Sequence, residues 1–218
     1  MAQEIEIKLK IGDVTAFRRT LKKIGARSIG NGTRRVHESN LLFDTPEGVL
    51  GKSGQLLRIR TETRDTGARD SRHGRVQRFL LTFKCPPKGA NGVRSQATLH
   101  ERHKVREESE LEIADAAILT KIFEGLGMNG WFRYEKYRTT FRLPESATWA
   151  KGLLIELDET PIGAFAELEG PPQAIDRAAR ALGFSTDDYV LQNYLSLYME
   201  DCRRRGQKPG NMLFAPTK

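Results

Sequence analysis

The stretch that decides the fold reads Glu4-Ile5-Glu6-Ile7-Lys8-Leu9-Lys10 and lies close to the N-terminus. Charged and apolar side chains alternate along its whole length. Because successive side chains of a β-strand point to opposite faces, this alternation predicts a strand over residues 3–10. One face of that strand is charged and the other is apolar, so each face needs a different kind of partner.

Further segments with a period of two residues predict seven more strands, at 36–44, 55–62, 77–85, 104–113, 131–142, 152–158 and 163–169. Together the charged faces carry eight carboxylates and seven cations. The carboxylates are Glu4, Glu6, Glu108, Glu110, Glu156, Asp158, Glu167 and Glu169. The cations are Lys8, Arg58, Arg60, Lys84, Arg106, Lys136 and Arg138.

Four amphipathic segments predict helices. The first begins at the N-cap Asp13 and ends at Gly25, and the others cover about 115–126, 171–183 and roughly 187–204. A weak internal repeat, a Glu-x-Glu strand followed by a helix that closes on a hydrophobe–Gly pair, accompanies the first three. The segments 63–76 and 86–103 and the basic tail from Arg203 are predicted to be poorly ordered without a ligand.

Two arrangements explain a sheet with one charged face. An open antiparallel sheet would expose that face to water. A closed barrel would hold the charges inside, and eight strands are enough to close one. The helices supply enough apolar surface to cover the other face, which favours the barrel. We therefore predict an α+β fold, with a closed eight-stranded antiparallel β-barrel and helices packed outside.

A barrel with a charged interior needs resident counter-charges. Burying an ion without compensation costs several kcal/mol, and neighbouring carboxylates raise one another's pKa. Carboxylate clusters are satisfied by hard cations such as Mg²⁺ or Mn²⁺, whereas arginine and lysine side chains suit phosphate oxygens. A polyphosphate with bound metal would satisfy both sets at once.

The composition is that of a soluble globular protein, with 38% hydrophobic and 29% charged residues among 218. No apolar run approaches the ~20 residues that span a bilayer, and no signal-type apolar segment opens the chain. These observations predict a cytoplasmic protein without a membrane partner. Cys85 and Cys202 show neither disulfide nor zinc spacing, so both are expected to be free thiols. The net charge of +8 invites a polyanionic partner.

An ordered series of motifs resembles the CYTH domain, the family of triphosphate tunnel metalloenzymes. Glu4-Ile5-Glu6-Ile7-Lys8 is similar to the Glu-x-Glu-x-Lys signature of that family. The similarity continues through Asn40-Leu41-Leu42-Phe43-Asp44-Thr45-Pro46, Leu56-Leu57-Arg58-Ile59-Arg60, Lys84, Lys136-Tyr137-Arg138, Leu157-Asp158-Glu159 and Glu167-Leu168-Glu169. It covers about residues 3 to 200, so we predict a CYTH-like tunnel domain at 1–202 and a basic C-terminal tail at 203–218.

The resemblance implies a site for Mg²⁺ or Mn²⁺ beside a site for a triphosphate. The metal ligands would be Glu4, Glu6, Asp158, Glu167 and Glu169, with Glu108 and Glu110. The triphosphate contacts would be Lys8, Arg58, Arg60, Lys84, Arg106, Lys136 and Arg138. The catalytic group would be Glu4, Glu6, Lys8, Arg58, Arg60, Lys84 and Arg138. Glu108, Glu110 and Glu156 depend on the register of residues 106–112, which fits the family pattern with more than one two-residue shift.

Several activities stay open within this resemblance. Family members include class IV adenylate cyclases, thiamine triphosphatases and inorganic tripolyphosphatases. The segments around residues 44–46 and 57–60 look most like the cyclase-like branch, which implies conversion of ATP to cyclic AMP and pyrophosphate. The alternative is hydrolysis of a nucleoside triphosphate, thiamine triphosphate or tripolyphosphate. A homodimer is also compatible with the sequence.

A non-enzymatic binder of nucleic acid or polyphosphate is the competing interpretation. It explains the net charge and the arginine-rich segments, but it leaves the alternating carboxylates without a role. A nucleic-acid partner is therefore not expected.

Two motifs imitate other sites. Gly48-Val49-Leu50-Gly51-Lys52-Ser53 has two residues between its glycines where a phosphate-binding loop has four, so we predict a turn. His100 and His103 lie in a polar loop, and we predict no zinc site there.

Overall fold

A computed structural model describes residues 2–29, 35–65, 74–88 and 102–216. Most of the two predicted loops, at 66–73 and 89–101, and His100 with them, fall outside the described residues. The strands are β1 (Ala2–Ile11), β2 (Arg27–Ser28), β3 (Arg35–Asp44), β4 (Leu56–Asp65), β5 (Arg75–Cys85), β6 (Lys104–Ile113), β7 (Asn129–Arg142), β8 (Leu154–Thr160), β9 (Gly163–Glu169) and β10 (Tyr189–Val190). The helices are α1 (Val14–Lys23), α2 (Val49–Lys52), α3 (Ala116–Gly125), α4 (Pro172–Ala181) and α5 (Tyr194–Arg204).

The strands close into a barrel. The hydrogen-bonded order β1-β6-β5-β4-β3-β7-β8-β9 returns to its start because β1 also pairs with β9. All these pairings are antiparallel. The predicted eight-stranded antiparallel barrel is therefore confirmed. The short strands β2 and β10 add to β7 and β1 at its edges.

The register of the strands brings charged residues of neighbouring strands side by side inside the barrel. Glu6 of β1 lies opposite Lys104 of β6 and Glu169 of β9. Glu38 of β3 lies opposite Lys136 of β7. Because side chains alternate across each strand, the apolar residues between these positions point outward.

The outward apolar face packs against helices. Ile7, Leu9 and Leu168 of the sheet form one core cluster with Phe17 of α1 and Ile175 of α4. Each such side chain contributes roughly 1.5–3 kcal/mol when fully buried. The predicted N-cap Asp13 is confirmed, because its carboxylate accepts hydrogen bonds from backbone amides of the first turn, and Asp115 caps α3 in the same way.

The structure corrects two local predictions. The fourth helix begins at Tyr194 rather than near 187, because Asn193 caps it and the preceding residues form a 3₁₀ turn and β10. Residues 48–53 are not a simple turn. They contain the one-turn helix α2, held by hydrogen bonds from the amides of Leu50 and Gly51 to the carboxylate of Asp44.

The tail also differs from the expectation of poor order. Met212 is buried, and its backbone exchanges hydrogen bonds with Arg133 and Glu135 of β7. The Met212 side chain packs in a hydrophobic cluster with Phe132 and Tyr134. The tail is ordered over this stretch because β8 does not extend along this part of β7, which leaves backbone groups to be paired. The domain boundary at residue 203 stays a prediction.

Both cysteines are buried thiols and do not form a disulfide with each other. Within the described ranges, no helix combines the length and the apolar character needed to cross a lipid bilayer.

Candidate functional site

The inside of the barrel is a tunnel lined by charged side chains. Two adjoining cavities occupy it. Of the fifteen residues predicted from the sequence, Asp158 lines neither cavity. The other fourteen line one or both: Glu4, Glu6, Lys8, Arg58, Arg60, Lys84, Arg106, Glu108, Glu110, Lys136, Arg138, Glu156, Glu167 and Glu169. One tunnel therefore contains nearly the whole predicted set.

At the centre of the tunnel lies an ion-paired network, which we define as Glu38, Lys136, Arg138, Asp158 and Glu167. Asp158 is fully buried. Its carboxylate accepts hydrogen bonds from Lys136 Nζ at 2.8 Å and Arg138 Nε at 2.7 Å, and from the Tyr194 hydroxyl at 2.6 Å. Arg138 also contacts Glu167. These donors occupy both oxygens of Asp158, so its role as a metal ligand stays a prediction from the resemblance.

Glu38 belongs to this network, although we did not select it from the sequence. Its carboxylate lies 3.4 Å from Arg60 Nε, 3.5 Å from Lys136 Nζ and 3.7 Å from Arg138 Nε. Although burial opposes ionisation, Arg60, Lys136 and Arg138 hold the pKa of Glu38 well below its usual range. Its signal in the sequence was its position two residues before Asn40, on the inward face of β3.

A second group of ion pairs surrounds Lys8. Its ammonium lies 3.2 Å from Glu6 and 3.2 Å from Glu167. Although burial opposes the charge, Glu167 and Glu6 raise the pKa of Lys8. The Glu6 carboxylate also accepts a hydrogen bond from Lys104 Nζ at 2.6 Å. Against the effect of burial, Lys8 and Lys104 lower the pKa of Glu6.

The opposite condition holds at the acidic end of the tunnel, which we define as Glu4, Glu108, Glu110, Glu156 and Glu169. These glutamates line one cavity with Arg60, Lys84 and Arg138. Burial, together with Glu4 and Glu156, raises the pKa of Glu169 to about 8. Burial, only partly offset by Arg138, raises the pKa of Glu156 to about 7. Within the described residues Glu169 has no ion pair, whereas Glu4 and Glu108 share Lys84 and Glu156 contacts Arg138.

The acidic end fits a divalent metal ion. Glu4 Oε1 accepts a hydrogen bond from Lys84 Nζ at 2.6 Å, but the buried Oε2 of Glu4 has no hydrogen-bond partner. A hard cation with oxygen ligands would satisfy that atom and the crowded neighbours of Glu4. Within the described part of the chain, no three carboxylate, histidine or cysteine side chains already form a preassembled metal cluster. Binding would therefore require the glutamates to turn from their lysine and arginine partners.

Two arginines that line the tunnel have buried N–H donors without a hydrogen-bond acceptor. Arg58 donates to the Tyr134 hydroxyl at 3.1 Å and to Thr82 at 3.0 Å, yet its buried Nε has no partner. The buried Nε of Arg106 is likewise unpaired. Buried polar groups without partners are costly, so these atoms are suited to receive oxygens of an anionic ligand.

The cavity that contains Lys8 and Arg58 also has an apolar part. Leu42, Leu56, Trp131 and Leu195 line it there, and the Trp131 side chain is half exposed. Tyr194, at the start of α5, lies between this end and the ion-paired network. The tunnel thus combines a carboxylate-rich end, a basic middle and an apolar end.

Four interior residues besides Glu38 were missed from the sequence: Asn40, Lys104, Tyr134 and Tyr194. The first three share the inward parity of predicted strand residues, so the period of two could have identified them. Tyr194 had no such signal, because its place in the tunnel depends on where α5 begins.

Comparisons with known proteins agree with this architecture. The family model described as "CYTH domain" matches residues 2–190. A protein of Methanocaldococcus jannaschii named "Putative adenylate cyclase" is 24% identical over 199 residues, which are 89% of this chain and 97% of that protein.

Solved structures show the same fold. A Pyrococcus horikoshii protein superposes with a TM-score of 0.65 at 21% identity, over 91% of this chain and 99% of that one. A structure titled as a putative adenylate cyclase of Vibrio parahaemolyticus gives 0.62 at 18% identity, over 89% and 96%. A Hippeastrum protein superposes with a TM-score of 0.52 at 21% identity, over 94% of this chain and 97% of that one. That protein is described as having a dominant triphosphatase activity. With a family model matched along most of its length, this chain belongs to the CYTH domain family.

Proposed function

We propose that this protein is a divalent-metal-dependent enzyme that acts on the triphosphate of a nucleotide, converting ATP to cyclic AMP and pyrophosphate. One observation carries the proposal. In a single closed tunnel, the pKa of Glu169 is raised because it is buried and too few cations surround it. In the same tunnel, the buried Nε donors of Arg58 and Arg106 have no hydrogen-bond acceptor. A triphosphate with bound metal supplies both missing partners.

The metal ion would be held by Glu4 and Glu169, with Glu6, Glu108, Glu110, Asp158 and Glu167 as further candidate ligands. When bound, Mg²⁺ or Mn²⁺ neutralises charge on phosphate oxygens. Lys8, Arg58, Arg60, Lys84, Arg106, Lys136 and Arg138 would bind the phosphate chain and hold it in line for attack. Their positions along the barrel wall fit a ligand that lies lengthwise in the tunnel.

The nucleophile decides which reaction follows. Attack of the ribose 3′-hydroxyl on the α-phosphorus of ATP forms cyclic AMP and breaks the bond to pyrophosphate. The apolar end of the tunnel supports an organic triphosphate, because Leu56, Trp131 and Leu195 offer a surface for a base and not for a phosphate. The name of the M. jannaschii relative, a putative adenylate cyclase, also favours this reaction.

Triphosphate hydrolysis is the second candidate. Water would then attack the terminal phosphorus, and the products would be phosphate and the corresponding diphosphate, which for tripolyphosphate is pyrophosphate. The triphosphatase activity reported for the Hippeastrum protein favours this reaction, since its fold is shared over 94% of this chain. Thiamine triphosphate and inorganic tripolyphosphate are the substrates to compare with ATP. A cytoplasmic location and a homodimer remain predictions from the sequence.

Product analysis separates these reactions. The purified protein is incubated with ATP, thiamine triphosphate or tripolyphosphate and with Mg²⁺ or Mn²⁺, and the products are separated by anion-exchange chromatography. We expect cyclic AMP and pyrophosphate from ATP, and no product in EDTA or with Glu169→Gln. Hydrolysis products alone would favour the triphosphatase. Retardation of RNA in EDTA without turnover of any triphosphate would instead support a nucleic-acid binder.

A further inference from the structure

Lys104 lines the tunnel but is not one of the phosphate-binding residues predicted from the sequence. It is the first residue of β6, and its side chain is 15% exposed. It lines the cavity that contains Lys8 and Arg106, but not the cavity of the acidic end. Its ammonium therefore faces the basic part of the tunnel.

Each of the other three lysines in the tunnel lies between two carboxylates. Lys8 contacts Glu6 and Glu167. Lys84 lies 2.6 Å from Glu4 and 3.3 Å from Glu108. Lys136 lies 2.8 Å from Asp158 and 3.5 Å from Glu38. Each of these three ammonium groups therefore has two carboxylate partners, although Arg60 and Arg138 share some of those carboxylates.

Lys104 lacks this compensation. Within the described part of the chain, its one carboxylate partner is Glu6, and the atom it contacts, Oε1, is also the atom that Lys8 contacts. Two ammonium groups therefore share one oxygen.

The excess positive charge at this point calls for an anion. Arg106 lies on the same strand two residues away and has a buried, unpaired Nε. A phosphate oxygen placed between these two side chains would satisfy donors of both. A merely structural lysine would be expected to have the two-carboxylate environment of Lys136.

We propose that Lys104 is a further phosphate-binding residue, whose ammonium contacts an oxygen of the triphosphate in the basic part of the tunnel. The inference rests on the proposed function, because it requires a triphosphate in the tunnel. It adds an eighth basic contact to the seven predicted from the sequence. It also places that contact outside the acidic cavity.

Calorimetric titration with tripolyphosphate tests this role in the wild type, Lys104→Met, Lys104→Arg and the control Lys10→Met. Lys10 is a lysine of β1 with an exposed side chain. Loss of one charge-assisted hydrogen bond predicts roughly ten- to hundredfold weaker binding by Lys104→Met. Lys104→Arg, which keeps the charge, should lose less than Lys104→Met, and Lys10→Met should bind as the wild type does.

Melting temperatures without and with tripolyphosphate exclude a structural effect. Because Lys104 is poorly compensated, the ligand-free Lys104→Met protein should melt no lower than the wild type, while its stabilisation by tripolyphosphate falls. Equal binding by wild type and Lys104→Met would overturn this inference and leave the proposed function intact. A protein destabilised by Lys104→Met before ligand is added would assign Lys104 a structural role. Absence of binding to the wild type would overturn both proposals.

Discussion

The ion-paired network and the acidic end both contain carboxylates but differ in how those negative charges are compensated. In the network, Asp158 and Glu38 are each surrounded by two or more cations, and the pKa of Glu38 is lowered. At the acidic end, the pKa values of Glu156 and Glu169 are raised to about 7 and about 8. We propose that the charges of the network mainly hold the barrel together, that those of the acidic end are available to a metal ion, and that Arg138 contributes to both.

The strongest test of this comparison is Asp158→Asn. Removing one member of a buried ion pair costs about 3–5 kcal/mol, because the remaining charges stay buried without compensation. We expect a loss of about that size in the free energy of unfolding, measured with urea. Glu159→Gln serves as the control, since its pair with Arg35 is part-exposed and should contribute less than about 1 kcal/mol. Equal, small effects of both changes would contradict the network's structural role.

Metal binding should stabilise the acidic end. A ligand at a hundredfold excess over its Kd raises the free energy of unfolding by about 2.7 kcal/mol. We expect Mg²⁺ or Mn²⁺ to raise the melting temperature of the wild type and to have a much smaller effect on Glu4→Gln. The exposed change Glu145→Gln should leave the metal effect unaltered. If Glu4→Gln responded to metal as fully as the wild type, the metal would bind elsewhere.

The two regions should also titrate in different ranges. An unfolded glutamate has a pKa of about 4.3, so a folded pKa of about 8 means that the folded protein keeps a proton on Glu169 between these values. Stability from this group is therefore lost as pH rises from about 4.3 to about 8. The lowered pKa of Glu38 has the opposite effect, because its stability is lost as pH falls below about 4.3.

Unfolding of the metal-free protein in EDTA, followed from pH 5 to 8, tests this separation. We expect the wild type to lose stability across the range and Glu169→Gln to lose less of it. Parallel profiles for the two proteins would show that Glu169 does not have a raised pKa.

The smallest effect is expected outside the tunnel. Arg78 and Glu112 form a 2.8 Å ion pair in which both side chains are about half exposed or more. Such surface pairs contribute about 0–1 kcal/mol. Glu112→Ala should therefore change the urea midpoint slightly and leave metal and triphosphate binding unchanged. A large loss would mean that exposed pairs also support the barrel.

Sequence periodicity predicted the barrel because the charged and apolar faces of each strand are encoded locally, as in residues 4–10. It did not predict how the charges divide into two regions. That division depends on strand register, which places Glu38 opposite Lys136 and Glu6 opposite Lys104. The start of α5 was also missed. The strand Tyr189–Val190 depends on pairing with the distant β1, whereas the cap at Asn193 is a local signal that the prediction overlooked.

The most direct test of the account is a crystal structure with Mn²⁺ and a non-hydrolysable ATP analogue, in which anomalous scattering locates the metal. We predict manganese bonded to Glu4 and Glu169 inside the tunnel, with the phosphate chain against Arg58, Arg60 and Arg138. Manganese and phosphates bound only on the outer surface of the barrel, with an unchanged tunnel, would contradict it.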